Sequence, residues 1–465
     1  MSAFSEYLER LKNEQDLSIV QIGNMANVDS STLFRWMSGQ SLPDSWERVE
    51  RVLDCMQCTV SDKANIKMLF EKTSIGEKKW KSIKEIFKLI QDISNSAHKI
   101  VKNFVENEVL NVDTLEYLQS GIFQNKRQII AGLSSFFHLD DQTLYFRFHT
   151  ASDEIWNMLS AFPGNIELYY CKNSQNDTKY ISVIRKMITL MQKNGHVKLF
   201  TMVENNTLCM GLSNILMIGN HTMQFTDDMM YGYYSDDKEF VQFLTKLFED
   251  TKNRSRKIYQ TIYQPLDTYQ NGHSFPLQKI RALEYAPGLT IGLTRDLLEA
   301  AIYPEVENRR LFIESVIEQV IDGPGAFVTE YYSIFDKGGL LQFMVDGLFV
   351  AFPYEIYRPL NETERKEILG RIIKRIENEP YIHYLMVKEE SLYLDDIYVE
   401  ERRYVEKEIE SNLMLALGEE NKVKQITIQD KEIRMQFEDF FDWIVESDLV
   451  YTEAETLEFM KSLVD

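Results

Sequence analysis

The feature that most constrains this chain is the segment at residues 18–43, SIVQIGNMANVDSSTLFRWMSGQSLP, which predicts two short helices joined by a tight turn. Ser18 and Asp29 are residue types that cap helix N-termini, and each precedes a segment with apolar residues at helical spacing. Gly23 permits a close helix crossing, and Gly39 permits the left-handed conformation that ends a helix. The segment therefore predicts a helix-turn-helix within a small helical bundle of residues 1–60.

At these residues the sequence resembles the lambda-repressor/Cro type of helix-turn-helix domain, called the XRE family. The matching positions are Ser18, Ile22, Gly23, Val28, Ser31, Thr32, Leu33, Arg35, Trp36, Gly39 and Pro43. The resemblance implies that the second helix lies in the major groove of double-stranded DNA. The candidate DNA-binding residues are then Ser18, Asp29, Ser30, Ser31, Thr32, Phe34, Arg35 and Gln40. Arg35 is the strongest candidate, because its guanidinium can serve a guanine edge or a phosphate.

Two alternatives to a DNA-binding regulator remain open, and the acidic charge of the first 60 residues bears on one of them. The first 60 residues contain five Lys or Arg and nine Asp or Glu, a balance that disfavours phosphate binding. Ile19 stands where the family has Gln, and Gln40 and Ser41 stand where it usually has a Lys or Arg. The bundle could instead dock onto a protein, as in an adaptor. A third possibility is an enzyme, of hydrolase or nuclease type, to which the bundle delivers DNA.

Residues 61–112 contain no proline and are predicted to form a helical linker. Apolar residues recur there at alternating spacings of three and four: Ile83, Ile86, Ile90, Ile93, Ala97, Ile100 and Phe104. This seam is typical of a coiled coil, and it predicts a homodimer because repressor-type helix-turn-helix proteins bind two-fold symmetric sites. Phe87 and its apolar neighbours widen the stripe, so packing against another part of the same chain is the alternative.

After residue 113 strand-like and helix-like segments alternate, which predicts an α/β sensor part in two halves, 113–275 and 276–465, with a linker near 255–280. Strands are predicted at 340–353 and 432–437, among others, and a capped helix from Asn361. QKNGHVKLFTMVENNTLCM and IENEPYIHYLMVKEESLYL share an order of helix, turn, strand and turn, which indicates an internal duplication. The order of elements is similar to the phospholipase-D-like fold of some sensor domains. The predicted fold class is a multidomain α and α/β protein.

No motif in the sequence predicts catalysis, a cofactor or a metal site. His196 and Lys198 match half of the phospholipase-D pattern, but Val203 stands where that pattern requires Asp. Cys55 and Cys58 form a CxxC without a second ligand pair and are interpreted as ordinary thiols. Tyrosines recur in both halves, at 231, 233, 234, 331, 332, 354 and 357. They are expected to pack in the sheets or, alternatively, to line a pocket for a small-molecule or peptide effector.

Composition completes the prediction. The 465 residues carry a net charge of −21, and residues from 291 onward contain 19 Lys or Arg against 38 Asp or Glu, a surface that repels nucleic acid. No apolar run is long enough to span a membrane and no secretory pattern begins the chain, so a cytoplasmic location is expected. We therefore predict a dimeric, DNA-binding transcriptional regulator whose acidic part senses an effector or a partner.

Overall fold

A computed structural model of the chain describes residues 2–100, 121–137, 143–172, 179–193, 196–203, 213–257, 259–262, 277–318, 329–348, 352, 354–388, 392, 394, 397–404, 412–419, 422–428 and 430–464. Within these residues the chain forms sixteen α-helices and two mixed β-sheets. It divides into two compact units, residues 1–85 and residues 86–465. The predicted fold class, a helical bundle followed by an α/β part, is confirmed.

The first unit is a helical bundle with one apolar core. Its helices are α1 (Ala3–Glu14), α2 (Ile19–Ala26), α3 (Ser30–Met37), α4 (Trp46–Cys55) and α5 (Val60–Ile75), and α6 (Glu77–Ile100) begins in this unit and ends in the second. The α5 residue Ile66 is buried in the same core as Phe4, and Phe70 lies 5.7 Å from Phe4 between ring centroids. The unit therefore extends beyond the predicted boundary at residue 60, because α5 completes its core.

The second unit contains both sheets. The first sheet consists of β1 (Gly121–Phe123), β2 (Leu144–Phe148), β3 (Ile166–Lys172), β4 (Val197–Val203), β5 (Asn214–Ile218), β6 (His221–Phe225), β7 (Gly232–Ser235) and β8 (Arg256–Lys257). Its helices are α7 (Lys126–Phe136), α8 (Asp153–Ala161), α9 (Tyr180–Lys193) and α10 (Lys238–Arg254). Tyr169 packs against Phe248 of α10, whereas Tyr170 stacks on Tyr180 of α9. Helices therefore cover both faces, because neighbouring strand residues point to opposite sides.

The second sheet consists of β9 (Tyr259–Ile262), β10 (Leu277–Glu284), β11 (Glu330–Phe335), β12 (Ile382–Met386), β13 (Ile397–Tyr404), β14 (Asn412–Glu419) and β15 (Lys422–Ile428). Its helices are α11 (Arg295–Ala301), α12 (Arg309–Val316), α13 (Lys337–Asp346), α14 (Glu362–Asn378), α15 (Lys431–Val445) and α16 (Glu453–Ser462). One face packs into an apolar core with residues of α11 to α14 and α16, among them Leu298, Phe312 and Ile372. On the other face, Arg281 of β10 contacts α15.

The two sheets repeat one topology. The first has the strand order β1-β7-β6-β5-β2-β3-β4 with β8 added, and the second has β9-β15-β14-β13-β10-β11-β12. In each, three adjacent strands are parallel and the described remainder is antiparallel. The helices α10 and α15 both begin after an Asp N-cap, Asp237 and Asp430, and both carry a buried Phe about three turns later, Phe248 and Phe441. The structure thus contains the internal duplication that the sequence indicates.

Strand pairing corrects the predicted boundary between the halves. β9 pairs with β15 of the second sheet, so the second half begins before residue 276. Within the linker predicted near 255–280, the structure places β8, β9 and the first residues of β10. The Pro and Gly residues near this segment do not reveal that β9 pairs with β15, a strand more than 150 residues later in the sequence.

Two segments predicted as strands are helical. Residues 340–346 belong to α13, which begins where Asp336 accepts the N–H of Gly338 at 2.6 Å and ends at Gly347 with φ of +71°. Residues 432–437 belong to α15, whose first amides are capped by Asp430. A short apolar run fits either period, and the capping residue decides between them.

A buried ion pair crosses the second sheet. Arg281 and Glu401 are register partners on β10 and β13, and Arg281 Nε donates to Glu401 Oε2 at 2.8 Å. Both residues are more than nine-tenths buried, and Arg281 Nη1 also lies 2.5 Å from Asp442 Oδ1. Burial raises the pKa of Glu401 even though Arg281 opposes that shift. The guanidinium of Arg281 therefore offsets part of the cost of burying this carboxyl group.

We predict that Arg281→Leu lowers the free energy of unfolding by about 3–5 kcal/mol, because it leaves Glu401 buried without its cation. The double variant Arg281→Leu/Glu401→Leu should recover most of that loss, since it removes both charges. Urea unfolding followed by circular dichroism tests this. The control is Arg295→Leu, which breaks the exposed pair with Glu314 and should cost at most about 1 kcal/mol. Equal losses in the single and double variants would contradict the argument.

Candidate functional site

The turn between α2 and α3 is closed by backbone contacts. Asn27 ends α2 in the left-handed conformation, and the N–H of Val28 donates to the carbonyl of Gly23 at 2.9 Å. A Cβ at Gly23 would lie 2.7 Å from the Val28 carbonyl oxygen, closer than side chains approach backbone. The Val28 side chain is buried in the bundle core. The close helix crossing predicted at Gly23 is thus confirmed, and α3 is held close against α2.

The N-termini of both helices are capped as predicted. Ser18 Oγ accepts the N–H of Gln21, and Gln21 Oε1 accepts the N–H of Ser18 at 3.0 Å, which forms a capping box. Asp29 accepts the N–H groups of Ser31 and Thr32. Its bond from the Ser31 hydroxyl is the main reason that the pKa of Asp29 lies below its ordinary value. Sequence reasoning missed Gln21, although a Gln three residues after a Ser is the pattern of a capping box.

The helix α3 presents one polar face to solvent. Leu33, Trp36 and Met37 point into the core. The candidate residues Ser31 and Arg35 are exposed, as is Phe34 with 52% of its surface accessible, and Ser30 and Thr32 are half-buried. Of the remaining candidates, Ser18, Asp29 and Gln40 are exposed. The turn therefore brings the candidates of α3 onto one accessible surface, which we call the α3 face: Ser30, Ser31, Thr32, Phe34 and Arg35.

The α3 face carries little charge. Arg35 is the single cation of α3 and Asp29 caps the helix. Arg35 Nη2 donates to Thr32 Oγ1 at 3.2 Å, which leaves its other guanidinium donors at an exposed position. By contrast, Arg48 of α4 is paired with Asp44 at 2.8 Å. The chemistry that the face offers is one forked cation, hydroxyl groups and an aromatic ring, a set that suits base edges better than a row of phosphates.

The predicted dimerisation seam is partly covered by the chain itself. Ile83, Ile86 and Ile90 are fully buried. Phe87 meets the ring of Trp443 on α15 edge to face, and Asp92 pairs with Arg185 on α9 at 3.3 Å. The seam positions Ile93, Ala97 and Ile100 lie on α6, but their side chains lie outside the described residues, as does Phe104 altogether. Between residues 83 and 92 the helix therefore packs within its own chain, which is the alternative that the sequence left open.

A buried charge cluster joins the two α/β halves. Lys172 at the end of β3 is 6% exposed, and its Nζ lies 3.0 Å from Glu432 and 3.8 Å from Asp430 at the start of α15. The ammonium also lies 3.3 Å from the ring centroid of Tyr180. Burial, followed by the charge of Asp430, raises the pKa of Tyr180. Sequence reasoning missed this cluster because its members are separated by about half the chain.

A second polar cluster lies inside the second half. Glu284 at the end of β10 accepts a hydrogen bond from the Ser333 hydroxyl at 2.6 Å, and Ser333 Oγ accepts the N–H of Gly288 at 3.0 Å. Burial raises the pKa of Glu284 to about 8, and the nearby charge of Glu400 acts in the same direction. Tyr384 donates to the carbonyl of Gly288 at 2.6 Å. At neutral pH this carboxyl group therefore holds a proton, and the cluster forms a neutral polar network.

Three of the recurring tyrosines pack in the cores of the two halves, as the first interpretation expects. Tyr331 and Tyr357 are buried in the apolar core of the second half, and Tyr234 lies against Phe136 of α7. Tyr231 is exposed at the turn between β6 and β7. Packing, the first of the two interpretations, describes Tyr234, Tyr331 and Tyr357.

The two motifs considered for catalysis or metal binding, His196-x-Lys198 and Cys55-x-x-Cys58, contribute to packing and ion pairing. Lys198 pairs with Glu167 at 3.1 Å, and Glu167 also receives Lys252, so the His196-x-Lys198 motif contributes to an ion-pair network beside α10. Burial raises the pKa of Cys58 to about 11, which disfavours a reactive thiolate. Across the described ranges no group of three or more His, Cys, Asp or Glu side chains is placed to hold a metal ion. No described helix is both long enough and apolar enough to cross a membrane.

Comparisons with known proteins leave the family open. No protein-family profile matches the chain. No curated protein matches it either. Among solved structures, the chain is similar to TrmBL2, an archaeal chromatin protein described with a novel mode of DNA binding, at a TM-score of 0.24 and 10% identity over 55% of this chain and 100% of that one. It is also similar to the phosphatidylserine synthase of Haemophilus influenzae Rd KW20, at a TM-score of 0.23 and 9% identity over 80% and 97%. At such TM-scores neither likeness carries an argument.

We predict that Glu284 makes the stability of the second half fall with rising pH. Its folded pKa of about 8 lies above the unfolded value of an ordinary Glu, so between about pH 4.5 and pH 8 the unfolded state binds fewer protons and stability decreases. Glu284→Gln should flatten this slope in urea unfolding measured from pH 5 to 8. Ser333→Ala removes the bond that lowers the pKa of Glu284, so the decline should continue above pH 8. A slope left unchanged by Glu284→Gln would contradict the prediction.

Proposed function

We propose that the chain is a sequence-specific DNA-binding transcriptional regulator of the XRE type that reads duplex DNA with the α3 face. The observation that carries the proposal is the accessible set of Ser31, Phe34 and Arg35 on a helix whose opposite side is locked into the bundle core. A rigid helix with hydrogen-bonding side chains on one side fits the major groove.

Each candidate residue has a separate role in this proposal. Arg35 pairs with a guanine edge or a phosphate, and Ser30, Ser31 and Thr32 supply hydroxyl groups to bases or backbone. Ser18 and Asp29 act through the helix ends that they cap, and Gln40 approaches the backbone after α3. The amides of Ile19 and Val20 precede the first amide with an acceptor within α2, so they can donate to a phosphate.

The remainder of the proposal concerns the second unit. The repeated α/β halves would sense a small-molecule or peptide effector, and two copies of the chain would bind half-sites about 34 Å apart. Because Ile83, Ile86 and Ile90 are buried within the single chain, a dimer through this helix would use its later seam positions, Ile93, Ala97, Ile100 and Phe104. Catalysis plays no part in this proposal.

A second candidate function is an adaptor whose bundle docks onto another protein. It is favoured by the acidic balance of residues 1–60 and by the apolar side chains Val20 and Met25, which are more than half exposed on α2. An adaptor would bind DNA weakly and without sequence preference.

We predict that Arg35→Ala weakens sequence-selective DNA binding by about 1–3 kcal/mol, because the variant loses the forked cation of the α3 face. The full chain is first used to enrich duplexes from a random-sequence library, and fluorescence anisotropy then measures affinity at several salt concentrations. The variant should also flatten the salt dependence by about one charge.

The matched control is Arg10→Ala, which removes an exposed arginine of α1 with the same change in net charge. It should leave the affinity for the enriched duplex nearly unchanged. If selection enriches no duplex, or if both arginine variants behave alike on every sequence, DNA reading by the α3 face is wrong and the adaptor is the better account.

A further inference from the structure

On its own helix, the exposed aromatic ring of the α3 face has mainly hydroxyl-bearing neighbours. Phe34 has 52% of its surface accessible. Its helical neighbours three and four residues away are Ser30, Ser31 and Ser38, and the fourth, Met37, is buried in the core. On its own helix, therefore, Phe34 is a single apolar group surrounded by hydrogen-bonding groups.

This arrangement discriminates between two kinds of partner. A protein-docking surface is a contiguous apolar patch, whereas Phe34 is the one exposed apolar side chain of α3. Duplex DNA offers a different target, because the 5-methyl group of thymine is a single apolar group set among hydrogen-bond donors and acceptors in the major groove. The ring can make the apolar contact with that methyl group while the surrounding serines meet its polar neighbours.

We infer that Phe34 is a specificity-determining residue that reads the 5-methyl group of a thymine in each half-site. The inference rests on the proposed function. Position supports it, since Phe34 directly precedes Arg35 and lies one helical turn after Ser30 and Ser31. The hydroxyls and the guanidinium hold the helix on the DNA, and the ring separates thymine from cytosine and from uracil.

The test replaces thymine by deoxyuridine, which lacks only the methyl group. The full chain is used to enrich a duplex from a random-sequence library, and each thymine of that duplex is then replaced singly. We expect one replacement in each half-site to weaken wild-type binding by about three- to five-fold, the size expected for one buried methyl group. Phe34→Ala should bind the thymine and uracil duplexes equally.

Two control variants sharpen the test. Phe34→Leu keeps an apolar contact and should retain most of the methyl dependence. Arg35→Ala should weaken both duplexes by the same factor and leave their ratio unchanged, because it acts on a different group. Thermal unfolding of each variant establishes that the bundle remains folded, which is expected at a half-exposed position such as Phe34.

The outcomes separate this inference from the proposed function. Selective binding in which no thymine replacement matters, or in which Phe34→Ala retains the methyl dependence, overturns the role of Phe34 and leaves DNA reading intact. Failure to enrich any duplex overturns both. If methyl dependence is absent and Phe34→Ala instead changes the sedimentation of the DNA-free protein, the ring belongs to a protein contact and the inference is wrong.

Discussion

The candidate interface depends on one close approach, that of the α2 backbone at Gly23 to the turn before α3. A side chain at this position would meet the Val28 carbonyl at 2.7 Å. Because that contact is made by backbone, it fixes the angle between the helices without relying on side-chain rotamers. Val28 then fills the space beneath the turn, and Leu33 and Trp36 anchor α3 from the inside. The outward direction of residues 31, 34 and 35 follows from these inward contacts.

The two sheets share one topology but differ in the side chains that pack between each sheet and its corresponding helix, α10 or α15. In the first half Phe248 of α10 meets the rings of Tyr145 and Tyr169. The corresponding Phe441 of α15 lies instead 5.3 Å from the guanidinium of Arg281. Buried ion pairs contribute little net stability, but they penalise wrong arrangements. Since Arg281 and Glu401 face each other across adjacent strands, we expect a slipped register of β10 on β13 to bury both charges unpaired.

Local chemistry explains what the sequence could predict. The caps at Ser18 and Asp29, the turn at Val28 and the helix end at Gly39 each depend on residues within a few positions, so the bundle and the α3 face follow from short patterns. The similar order of elements in the two halves can likewise be recognised from short segments of sequence. The clusters around Arg281, Lys172 and Glu284 do not, because their partners lie far away along the chain. The errors at α13 and α15 arise because short apolar runs fit two periods.

The acidity of the chain has a consequence for selectivity if the α3 face reads DNA. Sequence-independent binding comes almost entirely from cations on phosphates, and residues 1–60 carry only five cations against nine anions. Non-specific affinity is then low, so competing genomic sites retain little of the protein. The free energy of specific binding must come instead from contacts that distinguish bases, and the α3 face supplies a guanidinium, hydroxyls and one ring for that purpose. A DNA-binding face with few cations therefore binds non-specific DNA weakly, and this raises the ratio of specific to non-specific affinity.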